Sequence, residues 1–558
     1  MLLGAGAIVV ASHTSACRAD PPPGASIEGD LAAAGGGAEL GLPPPPAPAG
    51  DLDKQLEQAG VKDDTPPVAS AAGEQPYGGP WLGALADKTP VYETARFSSQ
   101  WQGYLRKGAK VAVIDKPIRT AACRQGFYPL VGGGYVCGKY ATLDLGDARV
   151  RLGIRAPNLD AALPYRYAYN NAHGTPLYQV VPTPEQMYAY EPYLKKPGAK
   201  DDKPPKEPSS AEVVASAAPD AGADPLPVAS APEPATSREV VPAAVDATDA
   251  GLAEEEPEKP WWQKPKGEQV NVTLKDLDEH DGVIAKRMVK GFFIAIDRTF
   301  GLNSRIWYKS TSGLVAPADR MIIPKTPETR GIVLGGGVKA AGFVVAQRAH
   351  KYAVDAKRPK RGDKLPRHFA VGLTGRTELY DKTRYRETVD GYWLKDDEIT
   401  YTEPGERPGG VGPAEKWIDV NLSKKTLVAF EGDTPAYAAL VSPGKRSSDK
   451  RKDHRTKTGS FRIREKHVAI TMDGDGIAGD APYSIEDVPY VEYYDGSYAL
   501  HAAFWHDNFG REQSHGCVNL APEDAKHIFM WTDPALPPGW HGVWATGARP
   551  GSMVVIHE

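Results

Sequence analysis

The chain has 558 residues, which is too long for one compact core, and about two to four domains are expected. Its 58 glycines and 51 prolines are concentrated in particular stretches, which indicates linkers between folded blocks. The formal net charge of −5 is close to neutral for this size, so composition favours neither a nucleic-acid partner nor an acidic one.

The N-terminus has the pattern of an export signal. Residues 1–11 form an apolar run that is too short to span a bilayer and is typical of the hydrophobic part of such a signal. Ser15-Ala16-Cys17 resembles the end of a bacterial lipobox. We therefore expect residues 1–17 to direct export to the periplasm or cell envelope. Lipid attachment at Cys17, which would tether the protein to a membrane, and cleavage nearby remain alternatives.

Five stretches lie between the signal and the C-terminal part, and they differ in composition. Residues 18–80 are rich in Pro, Ala, Gly and acidic residues and predict a disordered tether. Residues 81–145 alternate short strands and turns, which resembles a small SH3-like β-barrel. Residues 146–195 and 261–410 predict β-rich accessory modules. Residues 196–260 predict a second disordered linker, which would be an insertion between two parts of the accessory region.

The cysteines divide into a pair and a single reactive candidate. In an exported chain, Cys123 and Cys137 predict a disulfide that closes a loop of about fifteen residues and contributes roughly 3 kcal/mol. A zinc site is the alternative, but no Cys-x-x-Cys or histidine pair accompanies them. Cys517 is then left as an unpaired thiol, which makes it a candidate reactive group.

The C-terminal part, residues 411–558, has the clearest periodicity. Alternation of apolar and polar residues predicts strands over residues 418–422, 426–430 and 436–441. Asp495-Gly496 between two β-rich runs predicts a hairpin with His501 at the end of its second strand. Pro522 begins the best helix candidate, with Glu523 and Asp524 in the first turn. The chain is therefore expected to be a mainly β multidomain protein.

Cys517 lies in a glycine-containing loop with residues that suit nucleophilic catalysis. Acyl transfer through cysteine requires a base and donors for the developing oxyanion. His501 is the better base, since His515 is two residues from the thiol and is expected to point elsewhere. The carbonyl of Ala502 would fix the tautomer of His501, and backbone N–H groups around Gly516 would serve the oxyanion. The alternatives are a buried structural cysteine and a zinc site that includes His506 and Asp507, although their spacing fits no familiar ligand pattern.

Several spaced motifs resemble those of the bacterial L,D-transpeptidases. His501, twelve intervening residues and then Ser514-His515-Gly516-Cys517-Val518-Asn519 resemble the signature of this family. Gly510-Arg511, Thr456-Lys457-Thr458-Gly459-Ser460-Phe461 and Ile418-Asp419-Val420-Asn421-Leu422-Ser423 resemble further family motifs. Ala502, Lys457 and Asn519 depart from the residues most common at their positions. No catalytic group is lost by these departures.

The resemblance implies a β-sandwich with a short helix after the cysteine loop, and it implies peptidoglycan chemistry without a cofactor or metal. Cys517 would cleave the stem tetrapeptide before its terminal D-alanine, and a neighbouring stem would resolve the thioester into a 3→3 cross-link. An L,D-carboxypeptidase, a protein-anchoring enzyme and an inactive wall-binding scaffold are the alternatives. Carbapenems are the expected inhibitors. The candidates for substrate contacts are Ser514, His515, Asn519, Arg511 and Trp505.

Overall fold

The computed structural model describes residues 50–61, 77–98, 100–114, 116–194, 260–264, 272–279, 281–338, 340–355, 358–403, 405–475 and 481–558. The chain is mainly β, as expected, and divides into two compact units, residues 1–194 with 270–558 and residues 195–269. Of the second unit, residues 260–264 are described and include a 3₁₀ turn at Trp261–Gln263. The predicted export signal, most of the tether and nearly all of the linker lie outside the described residues. Within those ranges, no helix has the length and apolar character to cross a bilayer.

The first described region contains three helices and nine short strands. The predicted tether is corrected in one place, because residues 51–58 form a helix whose Leu56 is fully buried against the accessory strands. The elements in chain order are α1 (Asp51–Gln58), β1 (Trp81–Ala84), β2 (Thr89–Val91), β3 (Gly103–Leu105), β4 (Lys110–Ala112), β5 (Phe127–Pro129), β6 (Tyr135–Cys137), β7 (Ala141–Thr142), α2 (Ala148–Arg151), β8 (Arg166–Asn170), β9 (Thr175–Tyr178) and α3 (Pro184–Tyr190).

The strands of residues 81–145 are divided among different sheets. β4, β1 and β7 form a three-stranded sheet, and β5 and β6 form an antiparallel hairpin. The predicted disulfide is present, with a Cα–Cα distance of 6.1 Å between Cys123 and Cys137, and both residues are buried. β2 and β3 instead join the strands of the C-terminal domain. The SH3-like barrel therefore stays a prediction.

Strands on both sides of the linker pair with each other. β10 pairs with β9 and β11 pairs with β8, both antiparallel, so residues 166–178 and 284–302 belong to one β structure. A 3₁₀ turn at Leu274–Leu277 precedes these strands and another at Ala318–Arg320 lies among them. The strands are β10 (Ile284–Met288), β11 (Phe293–Leu302), β12 (Arg305–Ser310), β13 (Val315–Pro317), β14 (Met321–Ile322) and β15 (Ile332–Val333).

A separate seven-stranded sheet, hereafter the accessory sheet, follows. Its strand order is β18-β17-β21-β20-β19-β16-β22. Gly335 to Gly337, which precede it, lie in a turn at positive φ. The strands are β16 (Ala340–Val344), β17 (Ala349–Ala353), β18 (Lys360–Leu365), β19 (Ala370–Tyr380), β20 (Thr383–Thr388), β21 (Trp393–Lys395) and β22 (Ile399–Tyr401), with a 3₁₀ turn at Asp396–Glu398.

The C-terminal domain follows the predicted pattern closely. The three strands expected after Trp417 pair antiparallel, each with the next along the chain. The main core is a buried cluster that includes Ile418, Leu427, Leu500, Val518 and Phe529, and it lies against the apolar face of these strands. The elements of the domain are β23 (Lys416–Asn421), β24 (Thr426–Glu431), β25 (Thr434–Ser442), β26 (Gly459–Arg462), β27 (Glu465–Gly474), β28 (Tyr483–Asp495), β29 (Tyr498–Ala502), β30 (Val518–Leu520), α4 (Pro522–Trp531), β31 (Gly542–Trp544) and β32 (Met553–His557).

Two pairings position the cysteine loop. β28 and β29 form the predicted hairpin, with Gly496 and Ser497 as the two turn residues between the paired Asp495 and Tyr498. β29 then pairs in parallel with β30, and β30 also pairs with β25. α4 begins at Pro522, which occupies a position where its missing N–H costs no helical hydrogen bond. Because β29 and β30 are parallel, the chain between them crosses back from the end of β29 to the level at which β30 begins.

Candidate active site

His501 lies on β29 with its side chain on the face opposite the main core. Leu500 and Ala502 belong to the main core, whereas Ala499 lies in a different cluster on the other side of the strand. Because side chains alternate along a strand, His501 shares the face of Ala499. The imidazole is 2% exposed, so the sheet and the residues above it hold it in place.

Cys517 lies immediately before β30 and on the same face as His501. The parallel register pairs Leu500 with Val518 and His501 with Asn519. Cys517 precedes Asn519 by two residues and is fully buried in the cluster that contains Ala499. Neighbouring strands lie about 4.8 Å apart, so the thiol and the imidazole face the same space one diagonal step apart.

The orientation of His501 is fixed by its neighbours. Its Nδ1 lies 3.0 Å from the carbonyl oxygen of Ala502, the contact that the sequence predicts. When Nδ1–H donates to this carbonyl, the neutral imidazole keeps its lone pair on Nε2. The ring of Trp505 stacks on His501 with 5.8 Å between centroids. His501 is therefore prepared to accept a proton through Nε2.

A backbone carbonyl lies within hydrogen-bond reach of the thiol. Sγ of Cys517 is 3.6 Å from the carbonyl oxygen of Ser497, in the turn between β28 and β29. Any residue type could supply this carbonyl, so the sequence holds no signal for it. The turn that places His501 therefore also contacts the thiol.

The loop before Cys517 is closed by Ser514. Its hydroxyl donates to the carbonyl oxygen of Cys517 and accepts from the N–H of Gly516 at 3.1 Å. The N–H of Gly516 is thus engaged within the loop, and its role as an oxyanion donor stays a prediction. Gly516 has φ +125°, and a Cβ there would lie 3.0 Å from the ring of Tyr498. Glycine is thus required both by backbone conformation and by close packing.

His506 and Asn519 form a polar contact beside the candidate nucleophile. Nδ2 of Asn519 lies 3.0 Å from Nε2 of His506, and Nδ1 of His506 accepts from the N–H of Asn508 at 3.2 Å. Burial, together with the charges of His501 and Lys445, lowers the pKa of His506 to about 4. His506 is therefore neutral near pH 7. In the sequence, the position of His506 between His501 and Cys517 is what indicates that it belongs to this site.

The remaining predicted contact residues lie at different depths. Asn519 is buried. Because Nδ1 of His506 accepts a hydrogen bond, the neutral ring carries its hydrogen on Nε2, which donates to the oxygen of the Asn519 amide. Trp505 is half-buried beside both Cys517 and His501. His515 is exposed, and its ring lies 5.5 Å from that of Tyr483 and 4.6 Å from that of His454.

The accessory sheet contacts the chain segment between His501 and Cys517. The carboxylate of Asp507 accepts from Thr329 Oγ1 at 2.9 Å and lies 3.3 Å from Nδ1 of His368, a residue of the β18–β19 connection. Phe343 of β16 and Phe509 belong to one buried cluster. These contacts join residues more than 130 positions apart, and no local pattern predicts them.

The described residues contain no group of three or more His, Cys, Asp or Glu side chains arranged to hold a metal ion. The imidazole of His501 and the thiol of Cys517 share one face of the sheet, which is the arrangement of a base beside a nucleophile.

Comparison with known proteins agrees with the motifs. Residues 415–556 match the family model of the YkuD L,D-transpeptidase catalytic domain. No curated protein matches the chain.

Solved structures also match. An L,D-transpeptidase of Enterococcus faecium is 19% identical, covering 26% of this chain and 50% of its own, with a TM-score of 0.20. One from Mycobacterium smegmatis is 18% identical, and the match covers 41% of this chain and 100% of that one, with a TM-score of 0.21. L,D-transpeptidase 3 from Mycobacterium tuberculosis is 18% identical, and the match covers 34% of this chain and 79% of that one, with a TM-score of 0.20. The match spans about half the length of the first three solved structures. Residues 415–556 belong to the L,D-transpeptidase catalytic-domain family.

Proposed function

We propose that the C-terminal domain transfers acyl groups of peptidoglycan stem peptides through a thioester on Cys517. The observation that carries this proposal is the presence of Cys517 and His501 on one face of adjacent parallel strands, with Nδ1 of His501 tied to Ala502. A thiol beside an imidazole whose second nitrogen is fixed is the arrangement that nucleophilic catalysis requires. The match to the catalytic-domain family supports the stem peptide as the substrate class.

In the first half-reaction, Nε2 of His501 takes the thiol proton. The sulfur of Cys517 then attacks the carbonyl carbon of the third residue of a stem tetrapeptide. The C–N bond to the terminal D-alanine breaks, and the amine of D-alanine leaves with the proton that His501 held. The acyl group remains on Cys517 as a thioester.

In the second half-reaction, the side-chain amine of a neighbouring stem attacks the thioester carbonyl and gives its proton to His501. The C–S bond breaks, the proton returns to sulfur, and a 3→3 cross-link is formed. Water as the acceptor would release a free carboxylic acid, which is L,D-carboxypeptidase action. A protein amine as the acceptor would anchor that protein to the wall.

The rest of the chain fits a role at the cell envelope. The export signal expected in residues 1–17 would deliver the protein to the periplasm, with or without a lipid on Cys17. The accessory modules would then orient the catalytic domain toward the wall. Trp505 and Asn519, which lie beside the candidate nucleophile, would contact the stem peptide.

Acylation of the full chain tests the proposal directly. We expect intact mass spectrometry to show one bound imipenem per chain, and peptide mapping to locate it on Cys517. The Cys517→Ala variant should gain no mass and His501→Ala should react slowly. His527→Ala, a change at an exposed histidine of α4, should react like the wild type. A folded wild-type protein that gains no mass would indicate an inactive wall-binding scaffold.

The acceptor requires a second experiment. Peptidoglycan sacculi or purified tetrapeptide stems are incubated with the protein, and the digested muropeptides are analysed by mass spectrometry. Dimers joined through two third residues identify transpeptidation, whereas tripeptide monomers alone identify carboxypeptidase action.

A further inference from the structure

Three basic side chains near the candidate active site differ from the surface charges around them. Lys445, Arg367 and Arg511 make no salt bridge to an Asp or Glu side chain within the parts of the chain that the structure describes. Four basic residues close to Lys445 in sequence are paired, Arg446 with Glu512 and Glu558, Arg451 with Asp449, Arg455 with Asp453 and Lys457 with Asp495, whereas Lys450 and Lys452 form no salt bridge among the described residues. None of Lys445, Arg367 and Arg511 forms an ion pair with a described carboxylate, although the charge of Asp507 acts on Arg367.

Lys445 is held next to the cysteine loop by its backbone. Its N–H donates to the carbonyl oxygen of Ser514 at 3.0 Å, and its own carbonyl accepts from the N–H of His454 at 2.9 Å. The residue is half-buried. After burial and His501, the charge of Lys445 also acts to lower the pKa of His506.

Arg367 reaches the site from the accessory sheet. Its Nη1 donates to the carbonyl oxygen of Asp507 at 3.3 Å, and its Nε is buried with no acceptor among the described residues. The carboxylate of Asp507, the nearest acid, already accepts from Thr329 and contacts His368. Arg367 therefore brings a guanidinium group with unused donors to the edge of the active-site segment.

Arg511 adds a third charge on the same segment. It is exposed, and its N–H donates to the carbonyl oxygen of Asn508 at 3.2 Å. Burial and then the charge of Arg511 lower the pKa of Arg367, so the two guanidinium groups repel each other. An anion bound between them would relieve this repulsion and use the free N–H donors.

We propose that Lys445, Arg367 and Arg511 bind a carboxylate of the acyl-donor stem peptide. The proposal rests on the proposed function, in which the stem ends in a D-alanine whose carboxylate lies next to the amide attacked by Cys517. Carboxylates elsewhere in the stem are a second source of the same chemistry. Through Arg367, the accessory sheet would supply a substrate contact, and the catalytic domain alone would lack it.

Binding to the full-length Cys517→Ala protein separates recognition from chemistry. Three tetrapeptides are compared by calorimetry: one with all carboxylates free, one with a C-terminal amide, and one amidated at its other carboxylates. We expect the free peptide to bind roughly tenfold or more tightly than at least one amidated peptide, since a hydrogen-bonded charge contributes on the order of 1.5–3 kcal/mol. The amide that loses affinity identifies which carboxylate is bound.

Charge-neutral variants then assign the preference to these residues. Lys445→Gln, Arg367→Gln and Arg511→Gln combined should reduce affinity for the free peptide and abolish the preference, whereas Lys445→Arg with Arg367→Lys should retain it. Lys452→Gln, a change at an exposed lysine of the same loop, is the matched control and should bind like the parent. Circular dichroism confirms that each variant is folded.

Two results would overturn the proposal: equal or undetectable binding of all three peptides by the Cys517→Ala protein, or an unchanged preference in the triple variant. Acylation of wild-type Cys517 is measured separately. A protein that is acylated but indifferent to the stem carboxylates would keep the proposed function and lose this inference.

Discussion

His501 and Asn519 are register partners on adjacent parallel strands, and Cys517 precedes Asn519 by two residues. A period of two residues puts all three side chains on one face of the sheet, while Leu500 and Val518 point into the main core. The same strand pairing that builds the core thus brings thiol and imidazole together. The chain between the two strands is then available to carry Trp505 and His506 over that face.

Replacement of His501 tests its role as the base. The His501→Gln variant keeps a side chain of similar polarity but cannot take the thiol proton. General base catalysis contributes about 100- to 10,000-fold, so the rate of Cys517 acylation should fall by at least about 100-fold. Stopped-flow or quenched mass spectrometry with imipenem measures the rate. An unchanged rate in a folded variant would show that another group activates the thiol.

Gly516→Ala should disturb the cysteine loop for two separable reasons. The positive φ costs about 1 kcal/mol or more for a residue with a Cβ, and the new Cβ would meet the Tyr498 ring at 3.0 Å. Gly313 has φ +85° with no atom within 4 Å of the place that a Cβ would take, so Gly313→Ala carries the backbone cost alone. Urea unfolding should show a larger loss for Gly516→Ala, and Tyr498→Ala in the same chain should recover part of it. Equal losses at the two glycines would contradict the packing argument.

The contact between His368 and Asp507 predicts an acid-sensitive active-site segment. Burial disfavours the charged form of Asp507, but hydrogen bonds from His368 and Thr329 outweigh it and hold its pKa below the usual value. A depressed carboxyl pKa stabilises the fold above the unfolded pKa and loses that effect as pH falls through the folded pKa. His368→Ala should therefore move the acid unfolding of the protein, followed by circular dichroism, to higher pH. Identical acid unfolding of both proteins would contradict a stabilising contact between His368 and Asp507.

Local patterns in the sequence predict the catalytic strands well. Alternation after Trp417, the Asp495-Gly496 turn and Pro522 each act on neighbouring residues, and the elements that they predict are present. His501 and the carbonyl of Ala502 are adjacent in sequence, which made their contact predictable as well.

Contacts between distant segments could not be predicted in the same way. The carbonyl of Ser497 carries no residue signal, and the hydrogen bond from the Gly516 N–H to the Ser514 hydroxyl depends on the orientation of that side chain. Arg367 and His368 reach Asp507 only because the accessory sheet packs on the catalytic domain. Such positions follow from packing, which single-residue patterns do not encode.

Removal of the Cys123–Cys137 disulfide should destabilise the N-terminal β region. Both cysteines are buried, and the bridge closes a loop between residues 14 positions apart. The double change to serine should lower the free energy of unfolding by roughly 3 kcal/mol. Thermal unfolding with and without reductant measures the loss. Reductant should lower the melting temperature of the wild type but not that of the double variant. A wild-type melting temperature that is the same with and without reductant would contradict the prediction.

Asp524 should make the fold less stable as pH rises, which is the opposite of the effect expected for Asp507. It is fully buried in α4 and accepts hydrogen bonds from Tyr437 and from the N–H of Gly331, both at 2.7 Å, and burial raises its pKa to about 7. A raised pKa contributes stability below the unfolded pKa, near 3.8, and that contribution is lost as pH rises through about 7. The resulting change in the free energy of unfolding between these two pH limits is about 4 kcal/mol.

The Asp524→Asn variant tests this expectation. Its side chain keeps an acceptor oxygen but cannot ionise, so its free energy of unfolding should fall less between pH 5 and pH 8. The neighbouring Glu523→Gln, a change at a half-buried side chain, should keep the wild-type slope, and the same slope in Asp524→Asn would show that Asp524 does not titrate in this range.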